Sequence, residues 1–270
     1  MKSAITIALV PQIKSGPWVF WKNLEDSMAK AAALGFDAVE LFTASATAVD
    51  ARLLQQLSES YRIRVCAVGT GAGKVVQGLT LTDPDAGVRA RAIDFISEMI
   101  GFGAASTAPA IIGSMQGNVP QGTERAVALQ WLSEGISILS DVAQKKGVQL
   151  IYEPLNRYET NIFNCFVDAV AWLKTLDTTN VQLLADLFHM NIEEDSIPGT
   201  IYQYGSYIGH VHFADSNRRA IGMGHTHMND IAKALQSIAY SGYISAEVFP
   251  WPNSDAAARQ TINAFNTWFK

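Results

Sequence analysis

The sequence has few cysteines and no long apolar run, and each of these absences excludes a class of protein. Its 270 residues include two cysteines, Cys66 and Cys165, which are far apart in the chain and outside any metal-binding spacing. We therefore expect two reduced, buried thiols and no structural zinc site. No run approaches the ~18 apolar residues of a membrane span. The apolar run 4–10 is too short for a secretory signal, so we expect a cytoplasmic protein without a membrane partner.

An excess of basic charge is also missing, and so are the common nucleotide-binding motifs. The net charge is −5, which argues against a nucleic-acid partner. The segment "GTGAGKV" (69–75) places three residues between Gly69 and the pair Gly73-Lys74, one residue fewer than a P-loop requires. Lys74 also stands where a dinucleotide motif needs its third glycine. We interpret this segment as a flexible loop.

What the sequence does contain is a regular alternation of short apolar runs and longer segments with helical spacing. The predicted strands are 4–10, 38–42, 65–70, 108–115, 148–155, 181–188, 208–215 and 243–249. The predicted helices are 21–36, 50–62, 84–103, 123–146, 164–175, 197–206, 228–240 and 254–269.

This alternation predicts an α/β fold with a parallel sheet, because strands buried on both faces are almost continuously apolar. Eight strand–helix units are the number that closes a single (β/α)8 TIM barrel. The alternative is a doubly wound open sheet, which would carry a nucleotide motif after an early strand. Since no linker or low-complexity tract interrupts the chain, we expect one TIM-barrel domain over residues 1–270.

Four ionisable residues interrupt the last four predicted strands: Glu153, Asp186, His212 and Glu247. Each lies towards the carboxyl end of its strand, and those ends meet at the mouth of a barrel, where active sites of this fold lie. Three carboxylates in one place cannot all stay ionised unless a cation lies among them. An oxygen-rich set with one nitrogen suits Mn²⁺, our first choice, or Mg²⁺, with Co²⁺ and Zn²⁺ as alternatives.

Other polar residues lie near these four. His210 taken alone is more typical of a hydrogen-bonded core histidine, and Glu40 of a structural or supporting residue. The loops after the strands place further polar groups where they would line a small-molecule pocket: Glu159, His189 and Arg218. The acids that follow the sixth strand are expected to face solvent and are not counted as ligands: Glu193, Glu194 and Asp195.

At these residues the sequence resembles the xylose-isomerase-like TIM barrels, and within them the D-tagatose/D-psicose (ketose) 3-epimerases. The resemblance extends over nearly the whole chain. Its most characteristic segments are "YEPLNRYET", "ADLFHMNIEED", "GHVHFADSNRRAIGMGH" and "SAEVF", whereas "GFDAVELF" marks only the superfamily. It implies a divalent metal held by Glu153, Asp186, His212 and Glu247, with Glu153 and Glu247 as the catalytic residues. It further implies sugar binding by Glu159, His189 and Arg218.

The function that follows is a metal-dependent sugar epimerase, a ketose or keto-sugar 3-epimerase. One glutamate would remove a proton next to a carbonyl and the other would return one to the opposite face, through an enediolate stabilised by the metal. The same residues would serve an aldose–ketose isomerase of the hydroxypyruvate-isomerase type or a dehydratase of a cyclic polyol ketone. A repair endonuclease of the same superfamily is disfavoured by five histidines and acidic charge. The resemblance also implies a small-molecule sugar as partner and a homo-oligomer, a dimer or a tetramer.

Overall fold

The computed structural model describes residues 1–270 and contains nine strands. The strands are β1 (Lys2–Leu9), β2 (Phe20–Trp21), β3 (Ala38–Thr43), β4 (Arg64–Gly69), β5 (Ala110–Ile112), β6 (Leu150–Tyr152), β7 (Val181–Asp186), β8 (Ile208–His212) and β9 (Tyr243–Ala246). Every pairing is parallel, and β1 pairs with both β3 and β9, which closes eight strands into a barrel. The predicted TIM barrel is confirmed.

Ten α-helices accompany the strands. They are α1 (Leu24–Leu34), α2 (Ala51–Tyr61), α3 (Ala72–Gln77), α4 (Ala86–Ala104), α5 (Arg125–Lys145), α6 (Phe166–Leu173), α7 (Leu187–Glu193), α8 (Ile197–Tyr204), α9 (Met228–Ser237) and α10 (Ser254–Phe269). None of them is both long enough and apolar enough to cross a membrane. The large helices bury their apolar residues against the outside of the barrel, as the helical spacing of the sequence predicts.

Three short elements differ from the sequence-based expectations. The segment interpreted as a flexible loop contains helix α3, so that interpretation was wrong. Strand β7 ends at Asp186 instead of 188, because the Asp186 side chain caps a helix that begins at the next residue. Strand β2 was not predicted, and its two residues are too few to give a periodic signal.

Strand β2 extends the edge of β1 at the point where β9 ends. Strand β9 pairs with residues 2–5 of β1, and β2 pairs with Ile7 and Ala8. Between them, the Thr6 hydroxyl donates to the carbonyl of Ala246 and accepts from the amide of Val19. Strand β9 therefore ends at Ala246, and Glu247 is the first residue after the sheet.

A small apolar cluster inside the barrel supports the polar residues above it. It consists of Ala4, Ala38, Cys66, Ala67, Ile111, Ile151 and Leu184. Since alternate residues of a strand share a face, Glu40, Glu153 and Asp186 point into the same interior, two positions after their apolar neighbours. Neither cysteine forms a disulfide; Cys66 is buried as expected, whereas Cys165 is partly exposed.

Candidate metal centre and active site

The structure brings the four residues that the sequence analysis selected as metal ligands into one cluster at the barrel mouth. His212 Nδ1 lies 3.4 Å from Asp186 Oδ2, 3.5 Å from Glu153 Oε1 and 3.6 Å from Glu247 Oε2. One donor atom from each residue falls within 4.8 Å of all the others. We call these four residues the quartet: Glu153, Asp186, His212 and Glu247.

Asp186 is oriented by the helix that follows it. Its Oδ1 accepts from the amides of Phe188 (2.7 Å) and His189 (3.4 Å), so it acts as the N-cap of α7. Asp is among the best residues for this role. Its other oxygen, Oδ2, is left to face the quartet.

Glu153 is held by the ends of two neighbouring strands. The amide of the buried Gln116 donates to the backbone carbonyls of Glu153 (2.9 Å) and Gly113 (3.0 Å). A Cβ atom at Gly113 would collide with Glu153 Oε2, so only glycine leaves room for this carboxylate. Gly113 and Gln116 are functional neighbours that sequence reasoning missed, because neither belongs to a charged pattern.

The residues of the quartet fit a divalent cation. Glu153 Oε1 and His189 Nε2 are buried without any hydrogen-bond partner. A buried carboxylate oxygen without a partner is costly, because burial removes its hydration. Three carboxylates and one imidazole form the donor set that Mn²⁺ and Mg²⁺ prefer. The metal role of the quartet stays a prediction that the geometry supports.

The charges of the quartet influence one another strongly. Burial disfavours the ionised form of Asp186, but His189 and the hydrogen bond from His212 hold the pKa of this carboxyl below its usual range. Burial likewise opposes a charge on His212, yet the surrounding carboxylates, led by Glu40 and Glu247, raise its pKa well above the ordinary value. A proton on His212 thus offsets part of the negative charge, a role that a bound cation would take over.

His189 lies beside the quartet, and its role as a substrate contact stays a prediction. Its Nδ1 accepts from the backbone amide of Asn156 (3.2 Å) and lies 2.7 Å from the side-chain amide of the same residue. The ring proton of neutral His189 therefore lies on Nε2, which points at the quartet, 3.5 Å from Asp186 Oδ2. This N–H is free to donate to a ligand oxygen.

Arg218 and Glu159 lie on the other side of the quartet. Arg218 Nη2 is 2.5 Å from Glu247 Oε2, and Nη1 is 3.3 Å from Glu159 Oε1. The guanidinium also lies 4.8 Å from the ring centroid of Phe188, a cation–π distance. Arg218 has φ 56°, a conformation that few non-glycine residues adopt, and its position is fixed by the loop around Asp215.

Three residues of the quartet line one side of a cavity of about 220 Å³: Glu153, His212 and Glu247. The opposite wall comes from the first half of the chain, where Trp18 stacks on Phe42 at 4.3 Å. Gly69 and Gly71 lie against the Phe42 ring, so a side chain at either position would be tight against the ring. No residue of this wall was predicted from the sequence, since Trp18 is an isolated aromatic residue in a loop and Phe42 continues the apolar pattern of β3.

Two acids after β7 differ from expectation. The Glu193 side chain is 5% exposed and accepts from the guanidinium and backbone amide of Arg157. Glu194 accepts from the amide of Phe166 and the hydroxyl of Thr200. The prediction that these two face solvent was wrong, because α7 turns them back onto the neighbouring loops. Asp195 is exposed as predicted.

Fold and site together define the class of protein: a TIM barrel with a candidate metal centre at the carboxyl ends of its last four strands. The chain belongs to the xylose isomerase-like TIM barrel family, whose model matches residues 28–268.

Several relatives share this architecture. The chain is 32% identical over 226 residues to D-psicose 3-epimerase of Agrobacterium fabrum, covering 82% of this chain and 77% of the relative. It is 29% identical to L-ribulose 3-epimerase of a Methylomonas species, covering 94% and 88%. A solved D-psicose 3-epimerase in the presence of D-fructose superposes with a TM-score of 0.80 at 25% identity, covering 99% of both chains. These similarities support an enzyme of the carbohydrate epimerase class, an isomerase.

Proposed function

We propose that the protein is a divalent-metal-dependent epimerase that inverts carbon 3 of a ketose or keto-sugar. The observation that carries the proposal is the convergence of three carboxylates and one histidine in the quartet. The names of the two relatives given above support the same reaction, since one is a D-psicose 3-epimerase and the other an L-ribulose 3-epimerase.

The quartet would hold the metal, with Mn²⁺ as the proposed ion and Mg²⁺, Co²⁺ or Zn²⁺ as alternatives. A divalent cation in this position supplies Lewis-acid stabilisation of negative charge on the oxygens of the substrate. Three of these side chains are buried, and the Glu247 side chain, the most accessible of the four, is 16% exposed. Burial lowers the effective dielectric around these side chains, which strengthens their electrostatic interactions.

Glu153 and Glu247 are the proposed acid–base pair. They follow β6 and β9, with β7 and β8 between them, so their carboxylates reach the centre of the quartet from different sides. Burial raises the pKa of Glu247, and Arg218 and His212 offset this only in part. A raised pKa makes a carboxylate a better base near neutral pH. One glutamate would remove the proton from carbon 3 and the other would return one to the opposite face, inverting the centre.

The neighbouring donors would orient the sugar. His189 presents an unpaired Nε2–H beside the quartet, and Arg218 presents a guanidinium fixed by two carboxylates. Glu159, 40% exposed at the mouth, would hold Arg218 and accept from a sugar hydroxyl. Trp18 and Phe42 would pack against the apolar face of the sugar ring or chain, as aromatic side chains do.

The test of the two-base scheme is solvent isotope exchange. In D₂O with Mn²⁺, the wild-type protein should incorporate deuterium at carbon 3 of a ketose, measured by NMR of the recovered sugar. Glu153→Gln and Glu247→Gln should fold normally and lose this incorporation together with epimerisation. The control is Glu98→Gln, an exposed residue of α4, which should behave like wild type. Retained exchange in both active-site variants would refute the scheme.

The product distinguishes this proposal from the alternative reactions. Free ketoses, sugar phosphates and keto-glycosides should each be incubated with the Mn²⁺-loaded protein, and the products resolved by chromatography and mass spectrometry. An epimerase yields a ketose of unchanged mass, an aldose–ketose isomerase yields an aldose, and a dehydratase yields a product lighter by one water. We also propose a cytoplasmic homodimer or homotetramer, whose size light scattering would measure.

A further inference from the structure

Glu40 contacts both histidines of β8 from across the barrel. It lies on β3, which is separated from β8 by β1 and β9 around the closed sheet. Its Oε2 lies 2.8 Å from His210 Nε2, and its Oε1 lies 3.1 Å from His212 Nε2. All three residues are buried. One carboxylate therefore uses each of its two oxygens for a different imidazole.

These contacts determine which nitrogen of each ring carries the proton. An ionised carboxylate can only accept hydrogen bonds, so both histidines must donate to Glu40 from Nε2. Neutral His212 then has its lone pair on Nδ1, the atom that lies 3.4–3.6 Å from the three carboxylates of the quartet. A histidine that binds a metal commonly donates its other ring N–H to a carboxylate in this manner.

We propose that Glu40 is a positioning residue for the metal ligand: it holds His212 in the Nε2–H form and directs Nδ1 at the metal. This inference rests on the proposed function, because it assigns Glu40 a role towards the same metal. In this role Glu40 acts through His212, and its side chain also lines the cavity.

A purely structural role for Glu40 would require a contact with only one of the two histidines, whereas the structure shows contacts with both. His210 alone, at 2.8 Å, would satisfy a buried carboxylate as a charge-assisted pair. The second oxygen is instead bound to the one histidine of the quartet. Glu40, Cys66 and His210 could also ligate an ion themselves, an alternative that the number of ions bound per chain tests.

The central experiment measures Mn²⁺ binding to the purified full-length chain by titration calorimetry. Glu40→Gln replaces one acceptor oxygen by an amide donor, so one of the two histidines must lose its hydrogen bond or change its tautomer. We expect the Kd for Mn²⁺ to rise about 10- to 100-fold, the usual cost of losing such a partner. The control is Glu98→Gln, the same exchange at an exposed residue of α4, whose Kd should stay near the wild-type value.

A second readout does not depend on any variant folding. In wild-type protein labelled with ¹⁵N-histidine and loaded with diamagnetic Zn²⁺, NMR should show the His212 proton on Nε2, with Nδ1 bound to the metal. A proton on Nδ1 would overturn the proposal even if Glu40→Gln does not fold. Binding of two ions per chain would also overturn it, because Glu40 and His210 would then be ligands.

The outcomes separate this inference from the proposed function. A wild-type chain that binds no Mn²⁺ would overturn both. A wild-type chain that binds Mn²⁺, together with a folded Glu40→Gln variant of equal affinity, would overturn only the role of Glu40.

Discussion

At the scale of single residues, several groups in this site perform two tasks with two different atoms. Asp186 caps α7 with Oδ1 and faces the quartet with Oδ2. His189 accepts from Asn156 with Nδ1 and presents Nε2–H to the quartet. In each case the structural contact fixes the orientation of the functional atom. Substitutions that remove one task and keep the other can therefore separate folding from metal binding.

Asp186 allows such a separation. Asp186→Asn keeps an N-cap oxygen, because Asn caps helices about as well as Asp, but it removes the negative charge. We expect normal stability and a large loss of Mn²⁺ affinity. The loss should exceed the roughly 10- to 100-fold that follows when a residue hydrogen-bonded to a metal ligand is removed. Asp186→Ala should lose the same affinity and, in addition, about 1 kcal/mol of stability. Calorimetry and urea unfolding measure the two effects, and equal stability of the two variants would contradict the capping role.

At the scale of elements, the ends of strands and the loops after them determine where the charged atoms lie. Gly113, just after β5, leaves space for the Glu153 carboxylate. The loop 215–226 after β8 carries Arg218, and it folds around Asp215, which accepts from the amides of Ser216, Gly222, Gly224 and Thr226. Each arrangement leads to a prediction about one supporting residue: Gly113 beside the proposed base Glu153, and Asp215 in the loop that carries the proposed substrate-binding residue Arg218.

Gly113→Ala should displace Glu153 and leave the barrel intact. The added Cβ would overlap the Glu153 carboxylate, and a displacement of about 1 Å can cost about 100-fold in rate. We expect a loss of that size in kcat for epimerisation with an unchanged circular dichroism spectrum. Gly101→Ala is the matched control: a Cβ there meets nothing within 4 Å, so activity should persist and stability should rise by up to about 1 kcal/mol. Wild-type kcat in Gly113→Ala would contradict the steric argument.

The Asp215 loop should open in acid. Burial raises the pKa of Asp215, but the amides of Thr226, Gly224 and Ser216 lower it more, so the folded pKa lies below the ordinary value. A lowered pKa stabilises the fold above the unfolded-state pKa of about 3.9, and this stability is lost as the pH falls through the folded pKa. Hydrogen exchange of residues 216–226 should therefore accelerate, relative to intrinsic rates, only below about pH 4. Asp215→Asn should show that loss at neutral pH, whereas the exposed Asp195→Asn should not.

At the scale of the whole molecule, the barrel and the quartet were predictable, and the short elements around them were not. The alternation of apolar runs and helical segments predicts eight units because each buried strand is almost continuously apolar. Glu153, Asp186, His212 and Glu247 stood out because charged residues seldom interrupt such strands. Helix α7 was missed because its first residues are apolar and continue the pattern of β7.

The cavity wall and Glu40 show a second limit of sequence reasoning. Trp18 and Phe42 meet only because β1 and β3 are neighbours and the loop before β2 folds back over them. The pairing of Glu40 with His212 spans 172 residues of the chain, and no local periodicity encodes such a contact. Contacts of this kind depend on closure of the barrel, which is a property of the whole sheet.

Metal binding should stabilise the whole barrel, because the quartet joins four strands that are distant in sequence. A ligand that binds only the folded state at 100 times its Kd adds about 2.7 kcal/mol, which for a chain of this size corresponds to roughly 5–10 °C in Tm. We therefore expect the Tm of the chelator-treated protein to rise by about that amount when Mn²⁺ is added at this ratio. The Asp186→Asn variant, which retains the helix cap, should have the same Tm in chelator and in Mn²⁺. Identical melting of the wild type in both conditions would show that the quartet does not hold the metal in the folded protein.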